Sequence, residues 1–188
     1  ARDAFGNFAA NMAVDAGGWS LSNASGGVLS GDLVPAGDQK SATFTGHLVG
    51  CANIVAVSGA LAAIDSGLLT VVPGAASKLV IATQPSAMAT AGIAFAQQPV
   101  ILIEDQYSNL RSNDTLVVTA TRSAGAGTLL GTTNITAVGG VATFTNLAHA
   151  IATNITIQFS SGGLTAVTSG TIAVRAAPAL SQLLVLLP

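Results

Sequence analysis

Apolar and polar residues alternate along much of the chain with a period of two. The clearest case is "NITIQFS", where Ile155, Ile157 and Phe159 fall on one side of an extended strand and Thr156 and Gln158 on the other. Similar short runs occur at "KLVIATQ", "PVILIED", "TLVVTATR", "TTNITAV", "VATFTNL" and "LTAVTSGTIAV". Turn signals separate them: "QYSNLRSND", "SAGAG", "VGG" and "SSGG". The pattern predicts seven or so short antiparallel strands in about a hundred residues, the spacing of an immunoglobulin-like β-sandwich.

The pattern also recurs. "DAFGN" at Asp3–Asn7 is answered by "DQYSN" at Asp105–Asn109, "GVLSG" at Gly27–Gly31 by "GTLLG" at Gly127–Gly131, and "ATFTG" at Ala42–Gly46 by "ATFTN" at Ala142–Asn146. "CANI" at Cys51–Ile54 matches "ATNI" at Ala152–Ile155, and "LAAIDSGLLTV" at Leu61–Val71 matches "LTAVTSGTIAV" at Leu164–Val174. The spacing runs from 100 (Gly27 to Gly127) to 103 (Leu61 to Leu164), a drift that small loop changes account for. A third beginning follows: "AASKLVIATQP" near Ala75–Pro85 is echoed by "APALSQLLVLLP" at Ala177–Pro188.

Three segments are expected from this. Residues 1–73 form an incomplete unit lacking its first strand and most of its second, residues 74–175 a complete unit, and residues 176–188 the first strand of a following or neighbouring domain. Two readings explain the gap in the first unit. The sequence is a window on a longer chain, or subunits exchange strands, with "LSQLLVLLP" of one filling the gap of the next. The tail offers one strand where roughly two are missing, so exchange alone does not complete the fold.

Composition supports the all-β expectation. Half of the chain is hydrophobic but only 7% is charged, and Glu104 is its one glutamate, too few charges for the wet faces of helices. Thr and Ser take the solvent positions instead, as on strands. A net charge of −2 with no basic cluster disfavours nucleic acid as a partner. Cys51 is the single cysteine, which excludes an intrachain disulfide and a cysteine metal cage. So little charge points to a location outside the cell. The uncharged stretch "HLVGCANIVAVSGALAAI" approaches the length of a membrane span, but Gly50, Asn53, Ser58 and Gly59 interrupt it and its counterpart is an alternating strand, so no membrane span is expected.

The order "KLVIATQP", "AGIAFAQQPVILIEDQYSN", "GTLLGT", "GVATFTNL", "GLTAVTSGTIAV" resembles the bacterial immunoglobulin-like repeats of large surface proteins, the invasin and intimin type in particular. The resemblance covers residues 74–175 well and 1–73 from the end of the second strand onward. It implies secreted, tandemly repeated, rod-forming domains and no catalytic residues or cofactor.

Candidate chemistry is sparse. Asp3, Glu104 and Asp105 are weak calcium candidates, since carboxylates in sandwich end loops bind that ion, although Asp3 and Asp105 read first as Asx turns. His47 and His149 are not equivalent in the repeat and lack further ligands at metal spacing, and both read as surface or loop residues. No "GxSxG" elbow and no phosphate loop occurs. Cys51 reads as a small, partly buried thiol. Phe44 and Phe144 read as core anchors, and Trp19 as a packed indole before a sugar platform. Asn23, Asn113, Asn134 and Asn154 head N-x-S/T triplets and are candidate glycosylation sites, Asn113 foremost because it falls in a loop.

The functional expectation is a structural segment of an extracellular or cell-surface protein: a stalk, adhesin shaft or filament, not an enzyme. Its partners would be neighbouring copies or domains of the same protein, head to tail. The alternative is an adhesion module that binds a carbohydrate or receptor.

Overall fold

The structure is a computed structural model. It describes residues 12–178 together with Arg2, Phe5, Asn7 and Ala10. Asp3 and the tail from residue 179 onward, both named above, lie outside the described residues. The chain is all-β, its only helical element there being a single 3-10 turn at Ser30–Asp32. No helix among the described residues is long and apolar enough to cross a membrane. The chain divides into two compact units, one comprising Ala1–Gly74 with Tyr107–Asn109, the other Ala75–Gln106 with Leu110–Pro188.

In the first unit, β1 (Trp19–Gly26) pairs antiparallel with β4 (Gly50–Ala56), which also carries β5 (Ile64–Asp65) and β6 (Leu69–Val71). A bulge shifts the β1–β4 register between Ser22 and Ser25, where Asn23 takes a left-handed φ of 51°. A separate hairpin joins β2 (Leu33–Pro35) to β3 (Ala42–Phe44), and these two strands form a sheet of their own. Only Val28, Leu33 and Ala52 are buried apolar residues among those described in this unit, while Val34, Ile64, Leu68 and Val72 are exposed.

The second unit is a closed sandwich. One sheet has the order β13 (Val141–Thr143), β9 (Val100–Glu104), β7 (Lys78–Thr83). The other runs β12 (Asn134–Thr136), β10 (Val117–Ala124), β15 (Asn154–Ser160), β17 (Ile172–Arg175), β8 (Met88–Thr90), with β16 (Val167–Thr168) on β15. A small pair, β11 (Leu129–Leu130) with β14 (Ala148–His149), stands apart. The alternation reads out directly: Ile155, Ile157 and Phe159 are buried and Gln158 is exposed. They pack with Leu79, Ile101, Ile103, Val118, Phe144 and Ile172 between the sheets. No disulfide spans the sheets, so this burial holds them, each Ile, Val or Phe contributing about 1.5–3 kcal/mol.

Two features depart from a uniform antiparallel sandwich. The first long strand stops at Thr83, ahead of Gln84 and Pro85, because proline lacks an N–H and restricts the residue before it. The chain then crosses to the other sheet, where β8 pairs parallel with β17 (Met88 with Ala173, Thr90 with Arg175). The closing strand expected over Leu164–Val174 is two strands, β16 and β17, interrupted at Ser169 and Gly170. Ser169 is buried, and its hydroxyl accepts the Ile157 N–H at 3.0 Å and donates to the Gly170 carbonyl at 2.8 Å.

Candidate functional site

Among the carboxylates singled out above, Glu104 ends β9 and Asp105 follows it, and both are buried. Lys78 Nζ lies 3.8 Å from Glu104 Oε2. Arg111 forms a two-point ion pair with Asp114, Nε to Oδ2 at 3.1 Å and Nη2 to Oδ1 at 3.2 Å. Its guanidinium is held more firmly protonated by that hydrogen bond, against partial desolvation, and then by the charges of Asp114 and Asp105. Glu104 and Asp105 therefore already have basic neighbours. No group of three or more His, Cys, Asp or Glu side chains placed to hold a metal ion occurs among the described residues.

One polar arrangement in the first unit was not legible in the sequence. The turn at Ser30–Asp32 folds Asp32 back so that Oδ2 accepts the Leu29 N–H at 3.0 Å, while Oδ1 sits 2.8 Å from His47 Nδ1. The Leu29 N–H is the larger influence and His47 the next, and together they hold the Asp32 carboxyl below its ordinary value of 3.8 against the opposing effect of burial. The His47 ring meets Tyr107 edge-on at 4.7 Å between centroids. A carboxylate, an imidazole and a phenol stand together here, and Asp32 ties the turn to His47. Fifteen residues separate Asp32 from His47, and no periodic or turn motif announces such a pair.

His149 departs from its expected surface position. It lies on β14 and is fully buried, with Nδ1 2.9 Å from the Ile151 carbonyl oxygen and Nε2 without a hydrogen-bond partner among the described residues. Packing against Gly127 and Ile151 encloses the ring. Cys51 is half-buried with Sγ 2.9 Å from Ser25 Oγ. Trp19 is half-buried, and its Nε1–H donates to the Gln39 carbonyl at 3.2 Å, so the indole is tied into the unit. Phe144 is buried as expected, whereas Phe44 is half-buried. The four sequon asparagines, Asn23, Asn113, Asn134 and Asn154, are all exposed. Asn134 Oδ1 accepts the Thr119 hydroxyl at 2.7 Å. A shallow apolar hollow of about 130 Å³ lies in the first unit between Met12, Val14, Ala56, Leu61 and Ile64.

No protein-family model matches the chain, and no curated protein matches it. Two solved structures are similar in shape, both of glycosyl hydrolase family 2 members from Bacteroides cellulosilyticus, one of them from strain DSM 14838. The first has a TM-score of 0.45 at 12% identity over 74% of this chain and 19% of that one. The second has a TM-score of 0.44 at 12% identity over 73% and 20%. This chain spans about a fifth of the length of those chains.

Proposed function

We propose that the chain is a structural repeat segment of an extracellular bacterial surface protein, of the invasin and intimin type that its sequence resembles. Its immunoglobulin-like units would stand in tandem as a stalk, adhesin shaft or filament. The observation that carries this reading is the recurrence of one pairing order. β1, β4 and β6 follow each other in the first unit as β10, β15 and β17 do in the second. A chain that repeats one sandwich plan at a spacing of about a hundred residues gains length rather than a new site. Six residues, 72–77, join the last strand of the first unit to β7, and Pro73 stands among them.

The experiment is electron microscopy of the native particle that carries this chain. Rods or fibres with a repeat along the axis are the expected result. Compact, isolated particles would contradict the proposal. The exposed Thr- and Ser-rich surfaces and the four exposed sequons favour a location outside the cell.

A further inference from the structure

His149 is the imidazole of the second unit, and its surroundings suit one of its two charge states. The ring is fully buried on β14, with Nδ1 2.9 Å from the Ile151 carbonyl oxygen. A carbonyl only accepts, so Nδ1 carries the hydrogen and Nε2 presents a bare lone pair. Nε2 is buried without a hydrogen-bond partner among the described residues. In the neutral ring this lone pair forgoes one hydrogen bond. In the charged ring the same nitrogen becomes a second N–H donor, and a cation stands out of water with one of its two N–H groups unmet.

The cover over the ring is short and glycine-rich. β11 and β14 form a sheet of two strands with Leu129 opposite His149, and the Ala150 N–H donates to the Thr128 carbonyl at 3.0 Å. Ahead of β11, Gly127 has a φ of 91°, and a Cβ on it would stand 2.9 Å from His149 Cε1, so its backbone rests on the ring. On the other side of β14 the Gly92 N–H donates to the His149 carbonyl at 2.8 Å. None of residues 91–98, 123–130 and 147–153 is charged. The charges bound to these segments are both cationic. Arg122 donates from Nε to the Gly127 carbonyl at 2.8 Å and from Nη1 to the Gly125 carbonyl, and the Arg175 carbonyl accepts the Ala91 N–H. The carboxylates of the second unit are Glu104, Asp105 and Asp114. Glu104 faces Lys78, and Asp114 and Asp105 act on Arg111. No ion pair joins His149 to a carboxylate among the described residues. A proton on Nε2 therefore meets a loop that carries Arg122 and no countercharge.

We propose that His149 is an acid-released latch: protonation of its buried ring lifts the cover formed by residues 125–130 off β14, while the rest of the sandwich stays closed. Lifting the cover brings Nε2 to water, which accepts the hydrogen bond that the closed pocket withholds. The cover is suited to separate opening, because β11 pairs with β14 and with neither of the two larger sheets. The opened form binds one proton more than the closed form, and linkage fixes the sign. The closed cover is favoured at neutral pH and loses ground as pH falls below the ordinary histidine range, about pH 6.5. One extra proton raises the opening equilibrium about tenfold per pH unit. Ile157, whose N–H is bonded to the buried Ser169 hydroxyl within the larger sheet, has no part in this opening.

Amide exchange on the full chain tests this, with each rate divided by that of an unstructured peptide at the same pH, from about pH 7 to about pH 5. Protection of the Ala150 amide is expected to fall about tenfold per pH unit below about pH 6.5, with protection of the Ile157 amide unchanged. In His149→Leu the Ala150 protection is expected to be the same at every pH. Constant Ala150 protection in the wild-type chain overturns the proposal. So does a fall of the same slope in His149→Leu, or one in which Ile157 follows Ala150 step for step. Should His149→Leu fail to fold, the wild-type imidazole read by NMR decides: its ring signals are expected to titrate together with the loss of Ala150 protection. A ring that titrates while Ala150 stays protected, or that stays neutral while protection is lost, overturns the latch.

Discussion

The rings of Phe144 and Phe159 lie 5.4 Å apart between centroids, tilted by 52°, and join the two sheets of the second unit. Phe144 follows β13 on one sheet and Phe159 belongs to β15 on the other. At the spacing of 101 set by Cys51 and Ala152, Ser58 stands in the first unit where Phe159 stands in the second. Among the described residues the first unit therefore has no counterpart to this cross-sheet pair, in keeping with its half-buried Phe44.

Phe159→Ala should cost the second unit about 3–5 kcal/mol, because the removed ring leaves a cavity among fully buried neighbours. Phe44→Ala should cost the first unit much less. Urea unfolding followed separately for the two units checks this, and equal losses would count against the difference in burial.

Gly131 has a φ of 91°, and a Cβ there would meet the carbonyl oxygen of Asn146. Gly131→Ala should destabilise the second unit by about 1–2 kcal/mol from the left-handed backbone alone, with the contact adding to it. Gly163→Ala, where the added atom meets nothing, should leave the melting temperature nearly unchanged.

Asp32 has a folded-state pKa lowered from 3.8 by the Leu29 N–H and by His47. A lowered carboxylate pKa stabilises the fold above the unfolded value, and that contribution is lost as pH falls through the folded value. The first unit should therefore weaken in acid below about pH 3.8. Asp32→Asn should remove this part of the acid dependence, as read from chemical denaturation across that range. A wild-type acid limb unchanged by Asp32→Asn would refute the assignment.

Expressed in a host that adds N-linked sugar, the chain should be modified at Asn113, which is exposed in the turn before β10. Intact-mass analysis should show an added glycan that disappears in Asn113→Gln.

Strong local periodicity made much of the second unit readable. Ile155, Ile157 and Phe159 alternate without interruption, and β15 is central in its sheet. Met88–Thr90 offered no such signal, because three residues cannot show a period and their place on β17 follows from the crossing after Pro85. The interruption between β16 and β17 depends on where the Ser169 hydroxyl finds partners, which is a tertiary matter. His149 read as a loop residue by its chemistry, yet packing encloses it. The pairing of Asp32 with His47 depends on a turn whose geometry no spacing rule encodes.

Amide hydrogen exchange on the dilute, monomeric chain tests the central contrast most directly. The account predicts that the Ile157 amide, bonded to the buried Ser169 hydroxyl, exchanges only on unfolding of the second unit, while the Ile54 amide, bonded to the exposed Ser66 hydroxyl in the first unit, exchanges sooner. Equal, strong protection of both would contradict it.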